Sequence, residues 1–463
     1  MDNSCHTKIT NDPFMSLNKS MSLFALSLGS FIVIMDVTIV NVALPAMSKD
    51  LHGSVSWLQW VVDGYTLTFA CLLLSSGNLA DRVGAKSTYV FGLILFVLTS
   101  LACGFASDFL FLTLMRLLQG VGAALLTPTS LVLVNASYAN VKERVKAISI
   151  WGMTGAIAAA IGPILGGLLT FYCGWRWIFF VNIPFGLLAL FLTKKYVVNL
   201  PPSGKGHFDI SGQTLAVISI GALAFALIEA GRMGFYSHIV IASFIIFVIT
   251  FIAFLSVENK TSSPLFPLHF FRSRTFSVAM TIGMISTTGW YGELFVLTLY
   301  FQHIRDYSVL MTGFAFIPFV GMNALSAFLG GKLASVVGSR LPILCGLAIS
   351  VAGYFSMLIA GAHTPYALLI LPLVGIGAGI AFLMPALTVT AIHAVPEGRT
   401  GIASGALNAC RQIGILMGVA VFGTIIAVSN NFIVAMHETL MIAGLLCFVG
   451  FFAVFLWIKK ENT

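Results

Sequence analysis

Gly77-Asn-Leu-Ala-Asp81-Arg82-Val-Gly84-Ala-Lys86 has an echo at Gly331-Lys-Leu-Ala-Ser335-Val-Val-Gly338-Ser-Arg340, with five of the ten positions identical and Lys86 matched in charge by Arg340. Each segment joins two long apolar runs. Self-similarity at corresponding places in a chain marks a duplicated unit. The surrounding chain has 463 residues, 58% hydrophobic and 9% charged. A soluble globular chain carries roughly 25% charged residues, so this one cannot coat a water-facing surface. A soluble enzyme is excluded, and so is intrinsic disorder.

An apolar helix of about 20 residues crosses a bilayer. Apolar runs at about 20–45, 57–79, 88–106, 109–134, 147–172, 176–197, 210–230, 237–257, 277–303, 310–334, 341–361, 365–390, 402–428 and 433–458 predict fourteen spans. The first run is too long for a signal peptide and has no evident cleavage site. Charge supports the count. With the N-terminus inside, only Lys49, Arg176, Arg232 and Arg305 of the 24 Lys and Arg fall outside, while Arg116 and Arg411 lie within spans. Loops rich in Lys and Arg stay in the cytoplasm, so both termini are expected there. The repeat then divides an all-α integral membrane protein into a tail (1–19), a six-helix bundle (20–197), a linker (198–209), two inserted helices (210–257), a second linker (258–276), a second six-helix bundle (277–458) and a tail (459–463). Transporters built from such parallel halves bind substrate near the midplane between them.

Other classes lack support. The net charge of +8 comes without a basic tract, so inner loops explain it better than nucleic acid. The seven cysteines are odd in number and never in a C-x-x-C pair, which implies neither disulfides nor zinc. A G-x-x-x-x-G-K-[ST] loop for an ATP-driven pump is missing. The nine histidines form no ligand spacing, so an intramembrane enzyme is not expected, and no metal or cofactor is called for. Trp57, Trp60, Trp175 and Trp177 at outer span ends read as interfacial anchors.

The two loops resemble the inner-loop motif of the major facilitator superfamily, and the span count points to its 14-span drug:proton antiporter family. Met35-Asp36-Val-Thr-Ile-Val-Asn41-Val-Ala-Leu-Pro45 is similar to that family's span-1 motif, and Arg116-Leu-Leu-Gln119-Gly120 to the span-4 motif. Gly155…Gly162-Pro163-Ile-Leu-Gly166-Gly167 resembles the antiporter motif of span 5, and Trp175-Arg-Trp177…Asn182-Ile-Pro184 and Arg411-Gln412-Ile-Gly414 resemble further family segments. Trp60-Val-Val-Asp63-Gly64-Tyr65-Thr66-Leu67 looks most like the methylenomycin A resistance branch. The resemblance implies a major facilitator fold and a proton-coupled antiporter that exports lipophilic drugs or antibiotics from a bacterial cell by alternating access. It implies protons as the coupling ion, a place in the inner membrane and a monomer. A proton-coupled symporter of a small metabolite is the alternative on the same fold.

Ionisable groups within spans are functional candidates because burying them is costly. These are Asp36, Asp63, Arg116, Glu293 and Arg411. At 1.5 Å per residue, Asp36 lies roughly 14 Å, Arg116 roughly 10 Å and Asp63 roughly 9 Å from the outer end of its span. The three could form one carboxylate–guanidinium cluster. Desolvation and a neighbouring guanidinium act on a carboxyl's proton affinity in opposite senses, so small movements can switch it. Asp36 is expected to carry the proton, with a structural ion pair to Arg116 as the bland reading. Asp63 reads equally as a complement to a cationic substrate or as a residue near the outer headgroups. Glu293, near mid-membrane, is a second proton or cation site, or else a hydrogen-bonded structural acid. Glu229 reads as a solvated helix end. Gly155, Gly162, Pro163, Gly166 and Gly167 are expected to make a tight, bent seam between the halves. In the inner loop, Gly77 and Gly84 are expected to make turns. Asp81 is expected to cap a helix of the other half, and Arg82 and Lys86 to meet headgroups or acidic partners. Phe295, Tyr300 and Gln302 are candidates for an adaptable cavity.

Overall fold

A computed structural model describes residues 13–138, 140–202, 209–261, 266, 268–396 and 400–458. The expected tail 459–463, most of the tail 1–19 and parts of both linkers lie outside the described residues, together with Lys8, Lys205, Arg399, Lys459 and Lys460.

The described residues are almost wholly helical. In order they form α1 (Pro13–Leu51), α2 (Val55–Val83), α3 (Ala85–Gly104), α4 (Phe109–Ser137), α5 (Val141–Cys173), α6 (Trp177–Phe180), α7 (Asn182–Tyr196), α8 (Ile210–Met233) and α9 (His238–Lys260). Then come α10 (Arg274–Leu299), a π-helical turn (Tyr300–Ile304), α11 (Val309–Ala315), α12 (Ile317–Gly321), α13 (Asn323–Val337), α14 (Arg340–Ser356), α15 (Tyr366–His393), α16 (Thr400–Val428) and α17 (Phe432–Trp457). Among the described residues twelve helices are long and apolar enough to cross a membrane, or thirteen if the two legs of α2, bent by 58°, make one crossing. Helix α10 is outside that number. It is sheathed by other helices along most of its length and so carries Thr, Ser and Gly where a lipid-facing helix carries Leu and Ile.

Packing reproduces the internal repeat. In the first half α1 packs on α4, α5 and α7, α2 on α4, and α3 on α4 and α7. In the second half α10 packs on α15, α16 and α17, α12 and α13 on α15, and α14 on α15 and α17. Between halves α2 meets α16 and α5 meets α11, which is the exchange that a pseudo-two-fold axis requires. Helix α8 rests on both α2 and α16, with α9 outside it.

The repeated loops share their chemistry too. Gly84 (φ +97°) ends α2 and Gly338 (φ +80°) ends α13, at backbone angles that side chains resist. Lys86 Nζ donates to the carbonyls of Lys194 (3.2 Å) and Val197 (2.7 Å) at the end of α7. Arg340 Nη2 donates to the Phe455 carbonyl (2.6 Å) at the end of α17. Each cation thus caps the last helix of its own half, where free carbonyls and the helix dipole favour it. This corrects the expectation that Lys86 meets headgroups or acidic partners. Gly77 is corrected as well, because it lies inside the second leg of α2 and makes no turn. Asp81 and Arg82 are exposed in the last turn of that helix.

The termini define one face of the molecule; the opposite face is called distal. The halves are closest on the distal side. Gln59 Nε2 of α2 donates to the carbonyls of Val419 (3.1 Å) and Ala420 (2.9 Å) on α16. Gln302 Nε2 donates to the Val42 carbonyl of α1 (2.9 Å). A Cβ built on Gly313 would stand 2.8 Å from the Pro163 carbonyl, and one on Gly167 would stand 2.9 Å from that of Val309. Toward the termini face the same flank of α5 loses its cover: Pro163 and Gly167 are buried, Ala156 and Ala160 half-buried, and Gly152 exposed. The cleft between halves is therefore shut distally and opens toward the termini face.

Only part of the expected small-residue seam lies between halves. A Cβ on Gly155 would meet Ile34, on Gly162 it would meet Thr38, and on Gly166 it would meet Ile39, all on α1. Those glycines pack α5 inside its own half, while Pro163 and Gly167 face α11. The α5–α11 approach makes a direct test available. Gly313→Leu should wedge the distal seam apart at a cost of about 1–3 kcal/mol, the usual range for overpacking. Labelling of Val42→Cys by an impermeant thiol reagent from the distal side, in a cysteine-depleted background, should then rise; unchanged labelling would contradict the seam.

Candidate functional site

Asp36 and Arg116 are both sealed inside the first half, at 0% and 1% exposure. Arg116 Nη1 donates to Asp36 Oδ2 in a buried ion pair. Asp36 Oδ1 accepts from Gln119 Nε2 (3.1 Å) and from Asn182 Nδ2 (2.8 Å). Asn182 also donates to Ser100 Oγ (3.1 Å). The carboxylate thus gathers donors from α4 and α7, and α3 joins through Ser100. Arg116 is held in turn by its own contacts. Its Nη1 reaches Gln119 Oε1 (2.8 Å), its Nε donates to the Val61 carbonyl of α2 (3.0 Å), and its Cζ lies 4.4 Å from the Tyr65 ring centroid.

Local sequence explains the geometry. Arg116 and Gln119 are three apart, so they share a helix face. Gly120 lets α2 approach α4: a Cβ there would stand 2.2 Å from the Tyr65 carbonyl. That approach brings the Val61 carbonyl within reach of Arg116. A guanidinium so placed satisfies several partners through its rigid fork, which Lys cannot do.

Asp63 does not join the cluster. It is fully buried on α2, and neither carboxyl oxygen has a hydrogen-bond partner among the described residues. It sits one turn from Gln59, on the flank that meets α16. Glu293 is likewise buried, with the Thr439 hydroxyl of α17 beside its carboxyl but no hydrogen bond of good geometry on either oxygen among the described residues. A Cβ on Gly289, one turn earlier, would meet Tyr354 and Ala443, so Glu293 is turned toward α14 and α17, inside the second half. It does not pair with Arg411. Arg411 is partly exposed on α16; its Nη1 lies 3.4 Å from Asn408 Oδ1, and its Nε has no partner.

Several other expectations are corrected. Glu229 is 6% exposed and accepts from Trp60 Nε1 (3.1 Å) and Arg232 Nε (2.7 Å), so it ties α8 to α2 and is not a solvated end. Trp175 is buried and donates to Asp50 Oδ2 (3.0 Å), which makes it more than an anchor. Phe295 and Tyr300 are core residues, and Gln302 belongs to the distal seam. A cavity of about 510 Å³ between α10 and α17 is lined by Arg274, Thr281, Ile285 and Trp457, and none of the expected site residues reaches it. Gln119 and Asn182 were not foreseen as partners of Asp36. The spacing from Arg116 could have found Gln119; nothing in spacing alone could have found Asn182, which comes from a helix distant in sequence.

Two sets of helices with the same packing pattern, joined through α2–α16 and α5–α11, with a buried ion pair inside the first set, are the architecture of a many-span membrane transporter. The Major Facilitator Superfamily model matches residues 26–419, and the chain belongs to that family. It is 38% identical over 413 residues to the multidrug resistance protein Stp of Mycobacterium tuberculosis, covering 89% of this chain and 77% of the relative. It is 33% identical over 441 residues to the methylenomycin A resistance protein of Bacillus subtilis, covering 95% and 94%. Among solved structures it is similar to a bacterial homologue of the human lysosomal transporter Spinster, in an inward-facing, unoccupied conformation, with a TM-score of 0.66, 18% identity and coverage of 96% and 99%.

Removing one member of a buried ion pair strands the other, at a typical cost of about 3–5 kcal/mol. Asp36→Asn and Arg116→Gln should each lower thermal stability on that scale, and the double variant should lose less than the sum. Additive losses in a double-mutant cycle would show that the two side chains do not act as a pair.

Proposed function

We propose that this protein is a proton-coupled antiporter that exports lipophilic drugs or antibiotics across a bacterial inner membrane. The family and the names of its relatives support export of drugs and antibiotics. The observation that carries the coupling is the buried Asp36–Arg116 pair, whose links run to the helix that seals the cleft. The termini face is read as cytoplasmic, because nearly all Lys and Arg outside the spans lie on that side. The chain is read as fourteen spans, with α2 and α10 added to the twelve, as two six-helix bundles with α8 and α9 inserted between them, and as a monomer.

Proton loading of Asp36 would cancel its attraction for Arg116 and weaken two acceptor bonds, from Gln119 and Asn182. Arg116 also holds the Val61 carbonyl, and Val61 lies two residues from Gln59, which clasps α16. A change of partner at Arg116 is thereby delivered to the α2–α16 contact. Gln119, Asn182 and Tyr65 are positioning residues in this scheme. Alternating access then follows from rocking of the halves about the cleft, with the proton and the substrate crossing in opposite directions.

In proteoliposomes with an imposed pH gradient, Asp36→Asn should lose proton-driven export by a factor of ten or more, on the order of the 1.4 kcal/mol that one decade represents. Substrate counterflow without a gradient should persist. Full proton exchange by Asp36→Asn would overturn the assignment, and substrate uptake together with protons would favour the symporter.

A further inference from the structure

The reading of the chain as an exporter leaves the charge of its substrate open, and three buried acids invite the assumption of a cation. The disposition of charge in the cleft argues the reverse. Asp36, Asp63 and Glu293 are each 0% exposed. Asp36 spends its charge on Arg116, Gln119 and Asn182. Glu293 faces the interior of the second half, and Asp63 is buried on the flank of α2 that carries Gln59. None of these carboxyls presents an oxygen to the cleft in the conformation open toward the termini face, from which an exported molecule enters.

Arg411 is placed differently. It lies eleven residues into α16 from Thr400, roughly 17 Å at 1.5 Å per residue, which is near mid-depth. The Gln59 clamp holds α16 about two turns beyond it on the distal side. Arg411 is therefore on the open side of the closed seam. Around it, Thr287 Oγ1 donates to its backbone carbonyl (2.8 Å), and a Cβ on Gly283 would lie 3.5 Å from its Cγ, with Leu407 and Leu387 against the same glycine. The Tyr291 phenol is within electrostatic reach of the guanidinium, and Tyr291 also packs against the core of the first half, so this corner spans both lobes. Arg411 is half-buried, its Nε is buried without a partner, and its one described acceptor is the neutral Asn408 amide at 3.4 Å. Gln412, also partly exposed, has an unpartnered amide oxygen. No carboxylate neutralises Arg411 among the described residues. A cation held at mid-membrane without a counter-ion is costly, and a guanidinium matches a carboxylate through two parallel hydrogen bonds.

We propose that Arg411 receives the charged oxygen group of an anionic amphiphile, with Tyr291 beside it, and that the substrates of this exporter are lipophilic acids such as carboxylates or acidic phenols. The inference rests on the exporter reading. The missing counter-ion of Arg411 is then supplied by the substrate, and departure of the substrate to the distal side leaves the cleft cationic until the halves reset.

The test uses the full chain in nanodiscs and two probes with one hydrophobic body, 1-pyrenebutyrate and 1-pyrenebutyl-trimethylammonium. The wild type should bind the carboxylate more tightly than the ammonium. Arg411→Gln should weaken carboxylate binding at least about tenfold, the factor carried by one charge-assisted hydrogen bond, and should narrow the preference over the cation. Arg411→Lys should recover part of the loss, which a folding defect would not predict. Equal or tighter binding of the ammonium, no binding of either probe, or carboxylate binding that Arg411→Gln leaves within twofold would overturn the proposal. Proton-driven export of the ammonium probe that Asp36→Asn abolishes would sink this proposal and leave the exporter reading intact. Arg411-dependent carboxylate binding without proton-driven export would do the opposite.

Discussion

A charge placed inside a bilayer must find its compensation within the protein, and in this chain one carboxylate meets that demand in full. Asp36 accepts from three side chains on two helices, and Arg116 passes the constraint to a fourth helix through the Val61 carbonyl. Water is not available at that depth to replace a lost donor, so these helices hold their relative rotation as a set. Asp63 and Glu293 illustrate the contrast. They share the burial of Asp36 but lack its set of donors: Asp63 has none among the described residues, and Glu293 has only the Thr439 hydroxyl of α17 beside it. Ionic cohesion therefore belongs to the first half, while the second half is joined by aromatic and aliphatic packing around Phe301, Phe316 and Phe319.

The duplication sets the frame in which this asymmetry has meaning. The same pairs of helices pack in both halves, and the same loop ends in a left-handed glycine followed by a cation that caps the last helix of its half. Those features concern the frame alone. Asp36 and Glu293 both stand on the first helix of a half, yet where the first half places Arg116 on its fourth helix, the corresponding stretch of α15 is apolar through Leu369, Leu373 and Ile376. The halves share a scaffold and differ in what they bury.

The all-helical, many-span character was legible in the sequence because a bilayer imposes a simple rule on length and hydropathy. The ion pair was legible too, since two buried charges of opposite sign at similar depth have few alternatives. What the sequence concealed was azimuth. Gly162 and Gly166 look like the same motif as Gly167, but one residue turns a helix through roughly 100°, so the first two face α1 and the third faces the other half. Asp63 lies in the same half of the membrane as Asp36 but stands on the flank of α2 that carries Gln59. Trp60 and Glu229 looked like separate interfacial residues and proved to be partners. Each case needs the rotation of one helix against another, which depends on contacts far apart in the chain.

Azimuth also puts the buried ion pair and the distant seam on one helix, with no long relay between them. Helix α2 presents Val61 to Arg116, Tyr65 to its guanidinium face, and Gln59 to α16, all within two turns. A helix is stiff over that length, so a shift of Arg116 cannot be absorbed locally between Val61 and Gln59. It must move α2 against α16 or against α4. The approach to α4 is already at backbone contact through Gly120, whereas α16 is met by side chains: Gln59 lies over Gly423 and donates to two carbonyls that their own helix also satisfies, and Leu67 shares an apolar cluster with Leu416. Those bonds can be surrendered without stranding an acceptor. Only the α4 side is locked backbone against side chain and backbone, so the contact between the halves is the one with room to yield.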